Sequence, residues 1–187
     1  MKISQRYASL ISNRRFAVFA VMLTALAGAF LSSIDNRLAM SGINLISLQF
    51  TFSGELFSSY VVRWSESTIQ LFVQYLKMDI VFAFCYAVTL SSVLSAMWAH
   101  LSSLYEGSDF PKYSASIFRF SLALPSLAAA FNIGEDILLY SAARLGYVQS
   151  PVVPVQSSLA AAKYVCLIGA IAGIMTILFL RRRKMRG

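Results

Sequence analysis

The chain has 187 residues, of which 58% are hydrophobic and only 13% charged. A soluble domain carries about a quarter charged residues, so this composition excludes an ordinary soluble fold and points to a membrane protein. The formal charge of +8 does not indicate nucleic acid. Much of it flanks apolar runs, with Lys2, Arg6, Arg14 and Arg15 before the first and RRRKMR (181–186) after the last, and basic flanks of this kind set membrane topology.

The first run, FAVFAVMLTALAGAFLSS (16–33), is uncharged and about one bilayer long. Its basic prelude and the AGA near its end resemble a secretory signal. The run is longer than the ~7–15 residue core of such a signal, so a retained helix is expected. Ala20, Thr24 and Gly28 recur every fourth residue, a small stripe that lets another helix approach.

Residues 34–77 form the long connection to the second span. ISLQFTFS (46–53) alternates Ile46, Leu48, Phe50 and Phe52 with polar residues, which predicts a short strand with one buried face. After it, Leu56, Phe57, Tyr60, Val61, Trp64, Leu71, Phe72, Tyr75 and Leu76 recur at helical spacing. They predict an amphipathic helix, lying on the outer membrane surface or capping the bundle.

Further spans are predicted at about 78–99, 117–142 and 158–180. Small stripes continue in them as Ser91, Ser95 and Ala99, and as Ala162, Cys166, Gly169 and Gly173. Pro125 bends the third span and leaves the Ser121 carbonyl without its helical donor. Cys85 and Cys166 lack CxxC spacing and read as small hydrophobes, so neither a metal nor a cofactor is expected. No internal repeat divides the chain. The expectation is one all-α membrane domain over 1–187: a four-transmembrane-helix bundle with a short extracytoplasmic strand and amphipathic helix between spans one and two.

With both termini inside, the inner side holds eleven of the 16 basic residues, Lys112 and Arg119 among them, and the outer side holds Arg37, Arg63, Lys77, Arg144 and Lys163. That bias predicts cytoplasmic termini. Tyr75, Tyr140 and Tyr164 then fall near the outer boundary and Trp98 near the inner one, as an aromatic belt.

This topology brings Asp79, Glu135, Asp136 and Lys163 to one level in the outer part of three spans. Asn132 precedes the acids by three and four residues, so it shares their helix face. An ionised group costs about 2.5–3.5 kcal/mol at a helix centre on insertion scales, so groups within a span face a partner charge or water. Two readings compete. Lys163 neutralises an acid and the network only fixes helix register, or the surplus acid lines a pocket for a cation, a proton or a polar ligand.

Enzyme motifs are sparse. His100 is the single histidine, and neither a nucleophile elbow, a phosphate loop nor HExxH occurs. Adjacent Glu135 and Asp136 point about 100° apart on a helix and are not by themselves a catalytic dyad.

Leu48 to Phe52, Trp64, MDIVFAFCYA (78–87) and the acid-bearing third span together resemble a family of uncharacterised small bacterial four-span membrane proteins. In that family an Asp opens span two, followed by an aromatic and a Tyr, here Asp79, Phe82 and Tyr86. Span three there carries Asp-x-x-Glu-Asn, where this chain has Asn132, Glu135 and Asp136, with the outer polar identities exchanged. The resemblance implies a bacterial cytoplasmic membrane and adds Tyr86 to the polar cluster. It implies no activity. The expected function is therefore a non-enzymatic integral membrane protein with a buried acidic cluster near the outer face, which binds a small ligand or cation or only holds the bundle. The alternative is a proton- or cation-coupled small transporter, and the third reading is a membrane-embedded enzyme acting on lipid. The expected partners are the lipid bilayer and that ligand, not nucleic acid.

Overall fold

The computed structural model describes residues 13–105, 114–145 and 152–186, so Lys2, Arg6 and Lys112 of the topology argument lie outside the described residues. The described chain is helical: α1 (Arg14–Met40), α2 (Leu45–Gln49), α3 (Gly54–Val61), α4 (Glu66–Leu104), α5 (Ser114–Leu145) and α6 (Val152–Arg186). Four of these, α1, α4, α5 and α6, are long and apolar enough to cross a membrane, as a multi-pass protein requires.

Local sequence sets the helix ends. Asn13, Asn44, Ser53 and Ser65 each sit at an N-cap, where the side-chain oxygen accepts an early backbone N–H of α1, α2, α3 and α4 in turn. Such caps contribute about 1 kcal/mol each. The stop of α1 is equally local. Gly42 adopts φ 80°, its N–H reaches the Ala39 carbonyl at 2.9 Å, and the Ile43 N–H reaches the Leu38 carbonyl at 3.1 Å. Glycine is needed for that left-handed turn, and the buried Leu38 and Ile43 seal it from the apolar side.

The expected strand at 46–53 is absent. Leu45–Gln49 forms a five-residue helix started by Asn44. It buries Leu45, Leu48 and Gln49, the i, i+3, i+4 set, and leaves Ile46, Phe50 and Phe52 exposed. The described residues contain no strand to pair with it, and an isolated edge would leave its backbone groups unmet. Instead Ser157 Oγ donates to the Thr51 carbonyl at 3.0 Å and Gln156 Nε2 to the Gln49 carbonyl at 3.1 Å. The amphipathic helix is also revised. A break at 62–65 divides it, so α3 ends at Val61 and residues 66–77 belong to α4. The predicted inward face holds, with Phe57, Val61, Phe72 and Leu76 buried.

At 39 residues, α4 is about 58 Å long against a hydrocarbon layer of about 30 Å, so it must project from the membrane. Its first turns join α2 and α3 in a cap. There Phe57, Phe72 and Leu76 pack with Leu139 and Ala142 of α5 and Val153 of α6. The segment therefore caps the bundle.

Below the cap α5 lies between α4 and α6, while α1 leans along α4 and barely meets α5 or α6. Small residues set these approaches. Ala20 is buried, Thr24 and Thr89 hydroxyls bond across α1 and α4 at 2.8 Å, and Gly28 lies beneath the Phe82 ring. Gly169 and Gly173 of α6 abut Leu124 and Ser121 of α5. The stripe expected at Ser91, Ser95 and Ala99 is displaced: Ala99 is exposed, and the buried small polar residues of α4 are Thr89 and Ser92. The α5 helix continues through Pro125, which is fully buried.

Candidate functional site

Each acid is placed by a helix face. Along α4, residues 72, 76, 79, 83 and 86 are buried at alternating spacings of four and three, which puts Asp79 and Tyr86 on the seam facing α5. Along α5 the inward face runs through Ser121, Pro125, Ala128 and Asn132 to Glu135 and Asp136. Lys163 lies on the α6 face that also buries Gln156 and Ala160. Asp79, Glu135 and Lys163 stand about 15–20 Å from the cap ends of their helices, which explains their common level. A longer α6 places Lys163 about three turns inside its helix, deeper than the predicted first turn or two.

The structure brings the six predicted residues, Asp79, Tyr86, Asn132, Glu135, Asp136 and Lys163, into one buried region. The 100° between Glu135 and Asp136 sends them to different partners. Glu135 turns to α6, where Lys163 Nζ lies 2.6 Å from its Oε2 and Gln156 Nε2 is 3.5 Å from its Oε1. Asp136 turns to α4. There Asn132 Nδ2 donates to Asp136 Oδ2 at 3.0 Å and to Asp79 Oδ2 at 3.2 Å.

The first branch is closed and the second is not. Lys163, Glu135 and Gln156 connect onward to the α2 backbone, to Ser157 and through Gln49 to the Tyr164 hydroxyl at 3.4 Å. On the other branch the Asp79 and Asp136 carboxyls lie within hydrogen-bonding reach of each other, a contact that needs one proton between them, and the Tyr86 hydroxyl is buried without a partner among the described residues. A buried polar atom left so costs about 1–3 kcal/mol.

A cavity of about 380 Å³ reaches this second branch, with Asp79, Tyr86 and Asn132 in its lining together with Lys163. Tyr75 and Phe82 of α4 flank Asp79 there, and Leu31 and Asp35 of α1 form the facing wall. The α2 residues Leu45, Ile46 and Gln49 roof it, and Tyr164 and Leu167 of α6 complete the rim. Tyr75 and Tyr164 thus line a cavity rather than serving only as belt residues. Among the described residues, no group of three His, Cys, Asp or Glu is gathered as a metal site would need.

Sequence reasoning missed Gln49, Gln156 and Ser157, which join the cap to the acids. A signal existed: Gln156 precedes Lys163 by seven residues, which puts both on one helix face, in a segment whose only other polar residues are Ser157 and Ser158. Asp35 carried no periodic signal, because it is exposed at the edge of the cavity. No family model, curated protein or solved structure matches the chain.

Proposed function

We propose that the protein is a non-enzymatic, multi-pass protein of a bacterial cytoplasmic membrane, with cytoplasmic termini, whose acidic cavity near the outer face binds a small cationic or polar ligand. The observation that carries this reading is the cavity itself, which brings Asp79, Tyr86 and Asn132 to its lining. Lys163 is paired with Glu135, whereas the Asp79–Asn132–Asp136 branch holds two neighbouring carboxyls with no cation among the described residues bonded to either. Three carboxyls also face one ammonium here, and such a surplus in apolar surroundings is balanced by protons or by a bound cation.

The basic-residue bias supports the orientation, and the resemblance to small four-span bacterial proteins supports the membrane assignment. The transporter reading finds less support. Beneath the acids Ala83, Ala87, Leu124, Ala128 and Ala170 close the bundle, so a ligand that reaches Asp79 leaves as it came. Thermal unfolding of the purified protein tests the reading, with sodium, potassium, ammonium or tetramethylammonium chloride compared at equal ionic strength with N-methylglucamine chloride. At least one cation should stabilise the wild type and fail to stabilise Asp79→Asn. Identical unfolding in every salt would overturn the reading.

A further inference from the structure

We propose that the ligand of this cavity is an amphiphilic organic cation taken sideways from the bilayer, its ammonium head at Asp79 and its chain lying between α1 and α6. The inference rests on the ligand-binding reading above and names the class of ligand.

The first support is the position of the mouth. Helix α1 packs along α4, α6 packs mainly along α5, and α1 and α6 barely meet. Yet both contribute walls to the same cavity, Leu31 from one and Leu167 from the other. The gap between them opens toward the side of the bundle, and α2 covers it from the cap. Ala27 and Gly28 lie one turn from Leu31 on α1, and the exposed Ile171 lies one turn from Leu167 on α6, so both walls continue without a charge.

The second support is the chemistry at the inner end. Tyr75, Phe82 and Tyr86 stand beside the Asp79 carboxyl, and Phe82 and Tyr86 are edge-to-face with centroids 5.6 Å apart. Aromatic faces around a carboxylate suit an ammonium or quaternary ammonium group, which is attracted to ring and charge together. Tyr86 also lines the cavity, through atoms other than its hydroxyl, which is buried away from it.

Other ligand classes fit less well. An anionic headgroup would meet Asp79 and Asp35, while the one cation in the lining, Lys163, is held by Glu135 at 2.6 Å. A metal ion wants several converging oxygen donors, and Glu135 points away to Lys163. At about 380 Å³ the cavity falls within the range of ~300–1,000 Å³ typical of organic ligands.

Thermal unfolding in phosphatidylcholine nanodiscs tests the proposal with dodecyltrimethylammonium, tetramethylammonium and dodecyl sulfate as probes. Dodecyltrimethylammonium should stabilise the wild type at concentrations at least about a hundred-fold lower than tetramethylammonium, because its chain adds buried apolar surface. Dodecyl sulfate should not stabilise it, and Asp79→Asn should abolish both cation effects. Leu167→Trp narrows the mouth and leaves the acids in place. It should weaken dodecyltrimethylammonium by about ten-fold or more while tetramethylammonium changes little. Asp79-dependent tetramethylammonium binding without a chain effect would overturn this inference and leave the ligand-binding reading standing. Equal stabilisation by the sulfate would also overturn the inference. Absence of any Asp79-dependent effect from either cation would overturn the inference, and the ligand-binding reading would then be decided by sodium, potassium and ammonium.

Discussion

The ammonium of Lys163 and the carboxylate of Glu135 lie 2.6 Å apart, with 6% and 0% of their side chains exposed. They come from α6 and α5, so the pair joins two helices whose contact is otherwise mostly apolar. Removing one partner of a buried pair leaves an uncompensated charge and costs about 3–5 kcal/mol. Lys163→Met should therefore destabilise the protein by that order in denaturant unfolding. Adding Glu135→Gln should recover part of the loss, giving a non-additive cycle. The same cycle with Asp79→Asn should be closer to additive, because Asp79 bonds to Asn132 rather than to Lys163. Equal coupling of Lys163 to Glu135 and Asp79 would contradict the two-branch network.

How far the sequence showed this arrangement depends on the distance over which each signal acts. The four apolar runs are continuous, and burial at the level of Asp79, Asn132 and Glu135 follows from helix spacing alone. The strand at 46–53 failed because Ile46, Leu48, Phe50 and Phe52 fit a period of two, while Asn44 offered a helix cap that competes over the same residues. Tertiary partners decided it: Gln156 and Ser157 accommodate a helical turn and its carbonyls. Those partners lie 107 and 106 residues away in the chain, beyond any local pattern. The cavity was equally illegible, since it depends on the gap between α1 and α6.

Gly173 and Gly169 of α6 test the helix contacts with opposite expectations. A methyl group at Gly173 would overlap Ser121, including its Cβ, which the α5 backbone holds in place. At Gly169 the nearest atom is Leu124 Cδ1, the end of a flexible side chain, 2.7 Å away. Gly173→Ala should lower stability by about 1–3 kcal/mol through overpacking, and Gly169→Ala by clearly less. Thermal unfolding of the two variants in one detergent checks the order. Equal losses would mean that α5 yields at Ser121.

Gln156 ties the cap to the acids through one amide. Its Nε2 donates to the Gln49 carbonyl at 3.1 Å and approaches Glu135 Oε1 at 3.5 Å. Gln156→Leu keeps most of the volume and removes both donors, which should cost about 1–3 kcal/mol. The loss should be local first: amide exchange at 45–51 should quicken more than exchange in the middle of α5. Uniform acceleration along the chain would assign Gln156 to the whole bundle rather than to the cap.

Trp64 closes the cap from the turn between α3 and α4, its ring 5.0 Å from that of Phe72 and edge-on at 63°. Trp64→Asp puts a charge against that buried ring, so the cap should loosen while the four long helices persist. Limited proteolysis should then cut within 50–65, with helical content by circular dichroism little changed. An uncut, fully stable variant would show that the Trp64–Phe72 contact contributes little.

The orientation of the cavity depends on which side of the membrane the cap occupies. Ser59 of α3 and Arg183 at the far end of α6 are both exposed, and the two native cysteines, Cys85 and Cys166, can be replaced by alanine. Ser59→Cys should react with a membrane-impermeant maleimide in intact spheroplasts, and Arg183→Cys only after permeabilisation. The second substitution removes one basic residue from a tail that retains four (Arg181, Arg182, Lys184 and Arg186), so the bias that sets the topology survives it. The reverse labelling pattern would place the cap, Asp35 and the mouth beside Asp79 on the cytoplasmic side. The ligand would then come from the inner leaflet, and the chemistry of the site would stand while its direction of access changed.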